Sequence, residues 1–365
     1  MKEIFSERTR KKIRKGIGNY VKSSIFNKNP FPIWAYIFVT RKCNLSCDYC
    51  YITEEKFKEM GIGGASNDMD IDELKKAVDK LWGLGNRYVS FFGGEPTIRR
   101  RDLVEIVRYS SFEKQMFTQL PTNGTLLKRE GYVNELGEAG IDLMDVSLDS
   151  LGRFDQSRKD SYHRESLFTR LLEGRRKHGF AIKTNYVITK KNTDQLERIL
   201  EFGKENGFIV SIRLAMKPPI IPLNWKEENG LYFSTSPEDV EEVDRIADRV
   251  IQRKKQGYVV GEPIKFYEAM KRLVRGEKDF WQCEAGKHHI TISNDGMVIQ
   301  CEMLTDNFGI HFSELTPQYA QNLREQVNKN LARCNDNCLA AAYFCGQYYR
   351  RHPLSLIKEG FVKLN

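Results

Sequence analysis

The stretch PIWAYIFVTRKCNLSCDYCYI, residues 32–52, runs from an apolar, β-branched and aromatic segment straight into three cysteines, Cys43, Cys47 and Cys50, spaced C-x3-C-x2-C. The segment at 33–40 reads as a β-strand, and five more β-rich runs follow at 87–92, 115–120, 142–148, 181–189 and 209–216. Helical patterns lie between them near 71–84, 100–110, 127–138, 163–177 and 194–206, with apolar residues at i, i+3/i+4 as in Leu74, Ala77, Val78 and Leu81. Strands that alternate with helices of this length form βαβ units around a parallel sheet. Six such strands make either an open doubly wound sheet or a partial barrel. In both, ligands bind at the C-terminal ends of the strands, which is where the cysteines stand.

The chain has 365 residues, enough for two domains or for one large α/β domain with an appendage. It has no run of 18 apolar residues, and its first residues, MKEIFSERTRKKIRKG, lack the apolar core of a secretory signal. A cytoplasmic location, where thiols stay reduced, is expected. Residues 1–30 carry nine Lys/Arg against Glu3 and Glu7, so they supply +7 of the formal +9 and the rest of the chain is nearly balanced. Beyond the barrel-like region, 217–232 contains three prolines and reads as a connection. Helical patterns follow at 237–255 and 264–275, a hairpin about Asn294-Asp295-Gly296 at 288–301, and a further helix at 316–332.

The eight cysteines fall into two groups, with none between residues 51 and 282, a distribution that suits metal binding better than a disulfide framework. Three thiolates in one short loop suit a [4Fe–4S] cube with one iron left open for another ligand. Two other readings stand beside it: a zinc site completed by a distant His, and small buried thiols with no metal.

CxxxCxxC directly after a first strand, with Tyr49 before the last Cys, resembles the radical S-adenosylmethionine (SAM) enzymes. FFGGEP (Gly93, Gly94, Glu95, Pro96) resembles the family's GGEP motif at the end of the second strand, PTNG (Pro121–Gly124) a common ending of the third, and VSLDS (146–150) the fourth-strand motif. Asp155 to Arg158 resembles the D-x-x-R that follows it, although Ser150 replaces the usual Gly and the loop is one residue short. The resemblance covers roughly 33–216. It implies a partial (βα)6 TIM-like barrel, with Cys43, Cys47 and Cys50 holding a [4Fe–4S] cluster. Tyr49, Gly93, Gly94, Glu95, Asn123, Ser147 and Arg158 are then expected to bind SAM. It also implies reductive cleavage of SAM to methionine and a 5′-deoxyadenosyl radical that abstracts a substrate hydrogen, with a flavodoxin- or ferredoxin-type electron donor.

The C-x12-G-x4-C pattern from Cys283 to Cys301, with Gly296 in the turn, resembles the opening of the SPASM and twitch domains that extend such enzymes. Cys334, Cys338 and Cys345 follow at spacings that depart from the full SPASM pattern. Five thiols cannot fill two cubes, so one auxiliary [4Fe–4S] cluster is expected, on Cys283, Cys301 and two of the other three. A structural zinc site is the alternative. The expected organisation is a basic amphipathic segment at 1–32, a radical SAM core at 33–225, a helical connection at 226–280 and an auxiliary-cluster domain at 281–365.

The substrate is less legible. Ile13, Ile17, Tyr20, Val21 and Ile25 share a helical stripe flanked by basic residues. That is the pattern of a helix lying on an anionic membrane surface, here the inner face, with a lipid or isoprenoid as substrate. It is equally the pattern of a helix packed on the barrel. A peptide or small-molecule substrate is the alternative, although the roughly 32 residues before the first strand are too few for a leader-recognition domain. No basic patch with interleaved aromatics points to nucleic acid. A non-catalytic iron–sulfur protein that binds SAM only as a ligand is the further alternative. Arg213 and Met216, at the end of the sixth strand, are expected to face SAM or substrate by position.

Overall fold

The structure, a computed structural model, describes residues 4–26, 34–53, 67–151, 164–216, 230–283, 285–286, 289–302, 304–333 and 338–352. Six parallel strands form in the expected places: β1 Trp34–Thr40, β2 Tyr88–Gly93, β3 Phe117–Thr122, β4 Leu143–Ser147, β5 Ala181–Ile188 and β6 Ile209–Leu214. They pair in sequence order, with helices α2 Ile71–Gly83, α3 Arg100–Arg108, α4 Tyr132–Glu138, α5 Arg164–His178 and α6 Leu196–Asn206 in the crossovers. Helix α2 shows why a helix forms there. Asp70 caps it in a reciprocal capping box with Glu73, and Leu74, Ala77, Val78 and Leu81 bury one face against the sheet. Burial at each large position stabilises by about 1.5–3 kcal/mol.

The strand alternation divides each strand between two environments. Ala35, Ile37 and Val39, Val89 and Phe91, Met144 and Val146, and Val210 and Ile212 point outward into the main core beneath the helices. The intervening residues point inward, around a lumen, in tiers set by the parallel register. Pro121 lies opposite Asp145, Asp145 opposite Lys183, and Ser147 opposite Asn185. The first tier, at the N-terminal ends of the strands, is apolar. Phe117, Leu143, Ala181 and Ile209 cluster there with Ile4, and Phe5, Ile13 and Tyr88 pack against them.

That lowest tier is covered by α1, Glu7–Phe26. The buried hydroxyl of Thr9 donates to Asp142 Oδ1 at 2.7 Å, and Lys12 Nζ reaches Asp142 Oδ2 at 2.8 Å. Ile13 and Ile17 line the lumen. The part of the apolar stripe that is described therefore faces the barrel. Tyr20, Val21 and Ile25 have side chains outside the described residues.

The hairpin is present as β7 His289–Ile292 and β8 Met297–Cys301, joined by β9 Leu304–His311. Strand β7 pairs in parallel with β1, Trp34 opposite His289, so a single nine-stranded sheet runs β6-β5-β4-β3-β2-β1-β7-β8-β9 among the described residues. Helices α7 Pro237–Lys255, α8 Ile264–Val274 and α9 Pro317–Arg333 match the sequence patterns, and α10, Ala341–Arg351, adds a helix the sequence reading lacked. Gly346 lets α10 sit on β7, since a Cβ there would lie 2.3 Å from the His289 ring.

Candidate active site

The cysteine loop is fixed by contacts from three strand ends. On one side, Gly94 N donates to Thr40 O and Glu95 N to Lys42 O, both at 2.8 Å. This approach needs glycine. Gly93 has φ +149°, and a Cβ would stand 1.9 Å from Thr40 O there and 2.3 Å from Lys42 O at Gly94. Toward β3, Asn123 Nδ2 donates to Asn44 Oδ1 at 3.0 Å, and Asn44 Nδ2 to Thr125 Oγ1 at 2.7 Å. Toward β4, the Tyr49 hydroxyl donates to Asp149 Oδ2, while Asp149 Oδ1 accepts from Val187 N at 3.1 Å.

Glu95 ties these endings together. It is 1% exposed, and its carboxylate accepts from Thr97 N and Oγ1, from Thr122 Oγ1 at 2.7 Å and from Asn123 N at 2.7 Å. Burial pushes its carboxyl up, against the pull of those donors. Its own bonds make Glu95 a clamp between the β2 and β3 endings, and the backbone of Gly93 and Gly94 is what faces the lumen beside it.

Cys43, Cys47, Tyr49, Cys50, Gly93, Gly94, Glu95, Asn123 and Ser147 all line one cavity of about 690 Å³ that occupies the lumen. Arg213 and Met216 line it too. Arg158 lies outside the described residues. Below this rim come polar tiers that the sequence reading did not single out: Ser90, Gln119, Asp145, Lys183, Asn185 and Glu262. Asp145 Oδ2 receives Lys183 Nζ at 2.6 Å and Gln119 Nε2 at 2.9 Å. Glu262, 3% exposed, accepts from Ser211 Oγ and from Tyr267 OH at 2.9 Å and stands 3.5 Å from Arg213 Nε. Burial alone would raise its carboxyl, yet Arg213, Ser211, Lys183 and Tyr267 together hold it below the usual value. The missed signal was period-2 spacing: in DLMDVSL Asp145 and Ser147, and in AIKTNYV Lys183 and Asn185, recur two apart on the face that turns inward.

The second group of thiols divides. Cys283, Cys301 and Cys338 pack together with Trp281, Ala285 and Tyr343, and Tyr51 joins them from the end of the first cysteine loop. Cys345, on α10, lines the lumen instead. Cys334 lies outside the described residues. Among the described residues no three His, Cys, Asp or Glu side chains converge on one point, as ligands of a single ion do. Backbone N–H groups also point at sulfur in both groups, Leu45 N to Cys43 Sγ at 3.4 Å and Ala285 N to Cys283 Sγ at 3.5 Å, the hydrogen bonds a cluster thiolate takes. The three thiols of the first loop, and the three that pack together in the second group, are the soft donors that an iron–sulfur cluster takes.

Comparison with known proteins agrees with this geometry. The family model described as "Radical SAM superfamily" matches residues 37–203. The chain is 30% identical over 179 residues to the Fe-coproporphyrin III synthase of Methanosarcina barkeri, covering 49% of this chain and 42% of that one. It therefore spans less than half of that relative. It is also 30% identical over 220 residues to the probable GTP 3′,8-cyclase of Pyrococcus abyssi, covering 60% of this chain and 67% of that one. In fold it is similar to native anSMEcpe with bound AdoMet, with a TM-score of 0.58, 18% identity, and coverage of 91% of this chain and 98% of the other. Members of this family are enzymes that use a [4Fe–4S] cluster and SAM, and the match begins on β1 and takes in the endings of β2, β3 and β4 that fix the cysteine loop: the chain belongs to the radical SAM superfamily.

Proposed function

We propose that this enzyme cleaves SAM reductively and takes a hydrogen atom from a substrate held in the barrel lumen. One observation carries the reading: a single cavity runs from Cys43, Cys47, Cys50, Gly93, Gly94 and Ser147 at the rim to Ile13 and Ile17 at the floor. In this reading Cys43, Cys47 and Cys50 hold the cluster, the backbone of Gly93 and Gly94 with Ser147 and Asn123 seats SAM, and Tyr49 and Glu95 keep those parts in register. When bound there, the reduced cluster would supply one electron to the S–C5′ bond of SAM, which would yield methionine and the radical that takes the substrate hydrogen. The protein's part is to orient both reactants and keep water from the radical. A low-potential donor of the flavodoxin or ferredoxin type supplies the electron. Residues 281–365 form the auxiliary unit, with one cluster on Cys283, Cys301, Cys338 and Cys334, and Cys345 left to the lumen.

The apolar floor suits the chain of a lipid or isoprenoid. Because Ile13 and Ile17 face the lumen, inner-membrane contact through residues 1–30 would rest on charge, through exposed Lys11, Arg14 and Lys15. The polar tier above the floor favours a second reading, a compact polar metabolite. The names of the relatives, a GTP cyclase and an Fe-coproporphyrin synthase, point to no common substrate. The test is isotopic: reconstituted enzyme, SAM and dithionite are mixed with lipid or aqueous extracts of deuterium-grown source cells. Deuterium in 5′-deoxyadenosine from the lipid extract alone supports the first reading, from the aqueous extract alone the second, and label from neither contradicts hydrogen abstraction.

A further inference from the structure

We propose that the middle of the lumen, Asp145 on β4 with Ser90 on β2 and Asn185 on β5, binds a substrate group that donates hydrogen bonds: an ammonium, an amide N–H or a hydroxyl. The inference deepens the proposed function and rests on it for the claim that substrate enters the lumen. Asp145 is 5% exposed, and its two oxygens differ. Oδ2 is committed to Lys183 and Gln119, whereas Oδ1 is buried with no hydrogen-bond partner among the described residues. Ser90 Oγ, on a residue with no exposure, and Asn185 Oδ1 are buried and unpartnered in the same way. All three residues line the cavity. A buried polar atom left without its bond costs about 1–3 kcal/mol. Three such atoms line one cavity from three strands, Asn185 a tier above Asp145, and the N–H or O–H groups of a ligand in the cavity would satisfy them.

Charge narrows the class. Among the described residues the lysine and arginine that line this region are matched, Lys183 with Asp145 and Arg213 with Glu262. Glu302, which also lines the cavity, takes the Tyr343 hydroxyl. Among the described residues Asp145, Glu262 and Glu302 face Lys183 and Arg213, so a carboxylate or phosphate on the substrate meets no unmatched positive charge there, and an ammonium or neutral donor does not face that penalty. Asp145 stands two residues before Ser147 on the same strand, about 6–7 Å lower. A group anchored at Asp145 thus leaves its neighbouring C–H bonds just beneath the rim.

The test uses four-carbon probes on the full-length, cluster-reconstituted, SAM-loaded protein, with affinities from equilibrium dialysis of labelled butylamine, butyramide, 1-butanol and butyrate. Butylammonium is expected to bind at one site per chain at least about tenfold tighter than butyrate, with butyramide and butanol between them. Asp145→Asn should weaken butylammonium about tenfold or more. Ser90→Ala should weaken butyramide without restoring butyrate. The order of the probes on the wild type needs no variant, so the proposal stays exposed if Asp145→Asn does not fold. Butyrate binding as tightly as butylammonium, or Asp145→Asn binding butylammonium as the wild type does, overturns the inference. Formation of 5′-deoxyadenosine by the wild type, measured separately, reads the proposed function. Its absence with the probe order intact would sink that reading alone, and a reversed order with 5′-deoxyadenosine formed would sink only the donor site.

Discussion

The attachment of α1 to the base of the barrel gives a sharp prediction. Asp142 has no exposure and receives Thr9 Oγ1, Lys12 Nζ and Thr118 N, the last at 3.0 Å. The Lys12 side chain is 8% exposed. Burial lowers its ammonium pKa, and Asp142 opposes that shift. Lys12→Met keeps the packing but removes the nearer of two cations from a buried carboxylate, since Arg8 Nη2 stands 3.9 Å from Asp142 Oδ1, and removing one member of a buried pair costs about 3–5 kcal/mol. Asp142 keeps Arg8 and its threonine donors, so the lower end applies. At 1.4 kcal/mol per tenfold, about 3 kcal/mol raises the opening constant of α1 on the order of 100-fold. Hydrogen exchange followed by mass spectrometry on peptides from residues 7–26 reads that directly. Protection there should fall about 100-fold while α2 and α3 change little, and Lys12→Arg should recover most of it. A loss smaller than about threefold would refute the assignment of Lys12 as the helix's electrostatic lock.

Gly94→Ala forces a Cβ against Lys42 O and Arg41 O, and displacing the cysteine loop should lower 5′-deoxyadenosine formation about 100-fold with the chain still folded by circular dichroism. Tyr49→Phe removes a donor from buried Asp149; the loss of about 1.5–3 kcal/mol should speed iron release to a chelator on the order of tenfold. Glu262 has a folded pKa below its unfolded value of about 4.3, so it adds stability above that pH and loses it as pH falls through the folded value. Melting temperatures of the cluster-free chain should therefore fall below about pH 4.3 less steeply in Glu262→Gln than in the wild type.

The barrel was readable because each strand and helix announces itself locally. The run at 209–216 and the stripe Leu74, Ala77, Val78, Leu81 need no distant partner to be recognised. The motif residues were readable because their order along the strands is itself the signal. What the sequence hid was pairing across long separations. Lys12 finds Asp142 130 residues away, and nothing in a helical stripe tells whether Ile13 and Ile17 face a membrane or a barrel floor. The hairpin at 288–301 was legible, but its alignment beside β1, which makes one sheet of nine strands, was not. Asp145 and Lys183 looked like ordinary polar residues in strands until the register set them side by side. Helix α10 was obscured by its setting among cysteines, and with it the position of Cys345 in the lumen, apart from Cys283, Cys301 and Cys338.

The most direct test of the central claim is anaerobic. Reconstituted enzyme and a Cys43→Ala/Cys47→Ala/Cys50→Ala variant, both with the second cysteine group intact, are incubated with SAM and dithionite, and 5′-deoxyadenosine is measured by mass spectrometry. 5′-Deoxyadenosine and methionine are expected in equal amounts from the wild type, and neither from the variant. A wild-type protein with its cluster loaded that leaves SAM uncut, or a triple variant that cleaves it as fast, would contradict that claim.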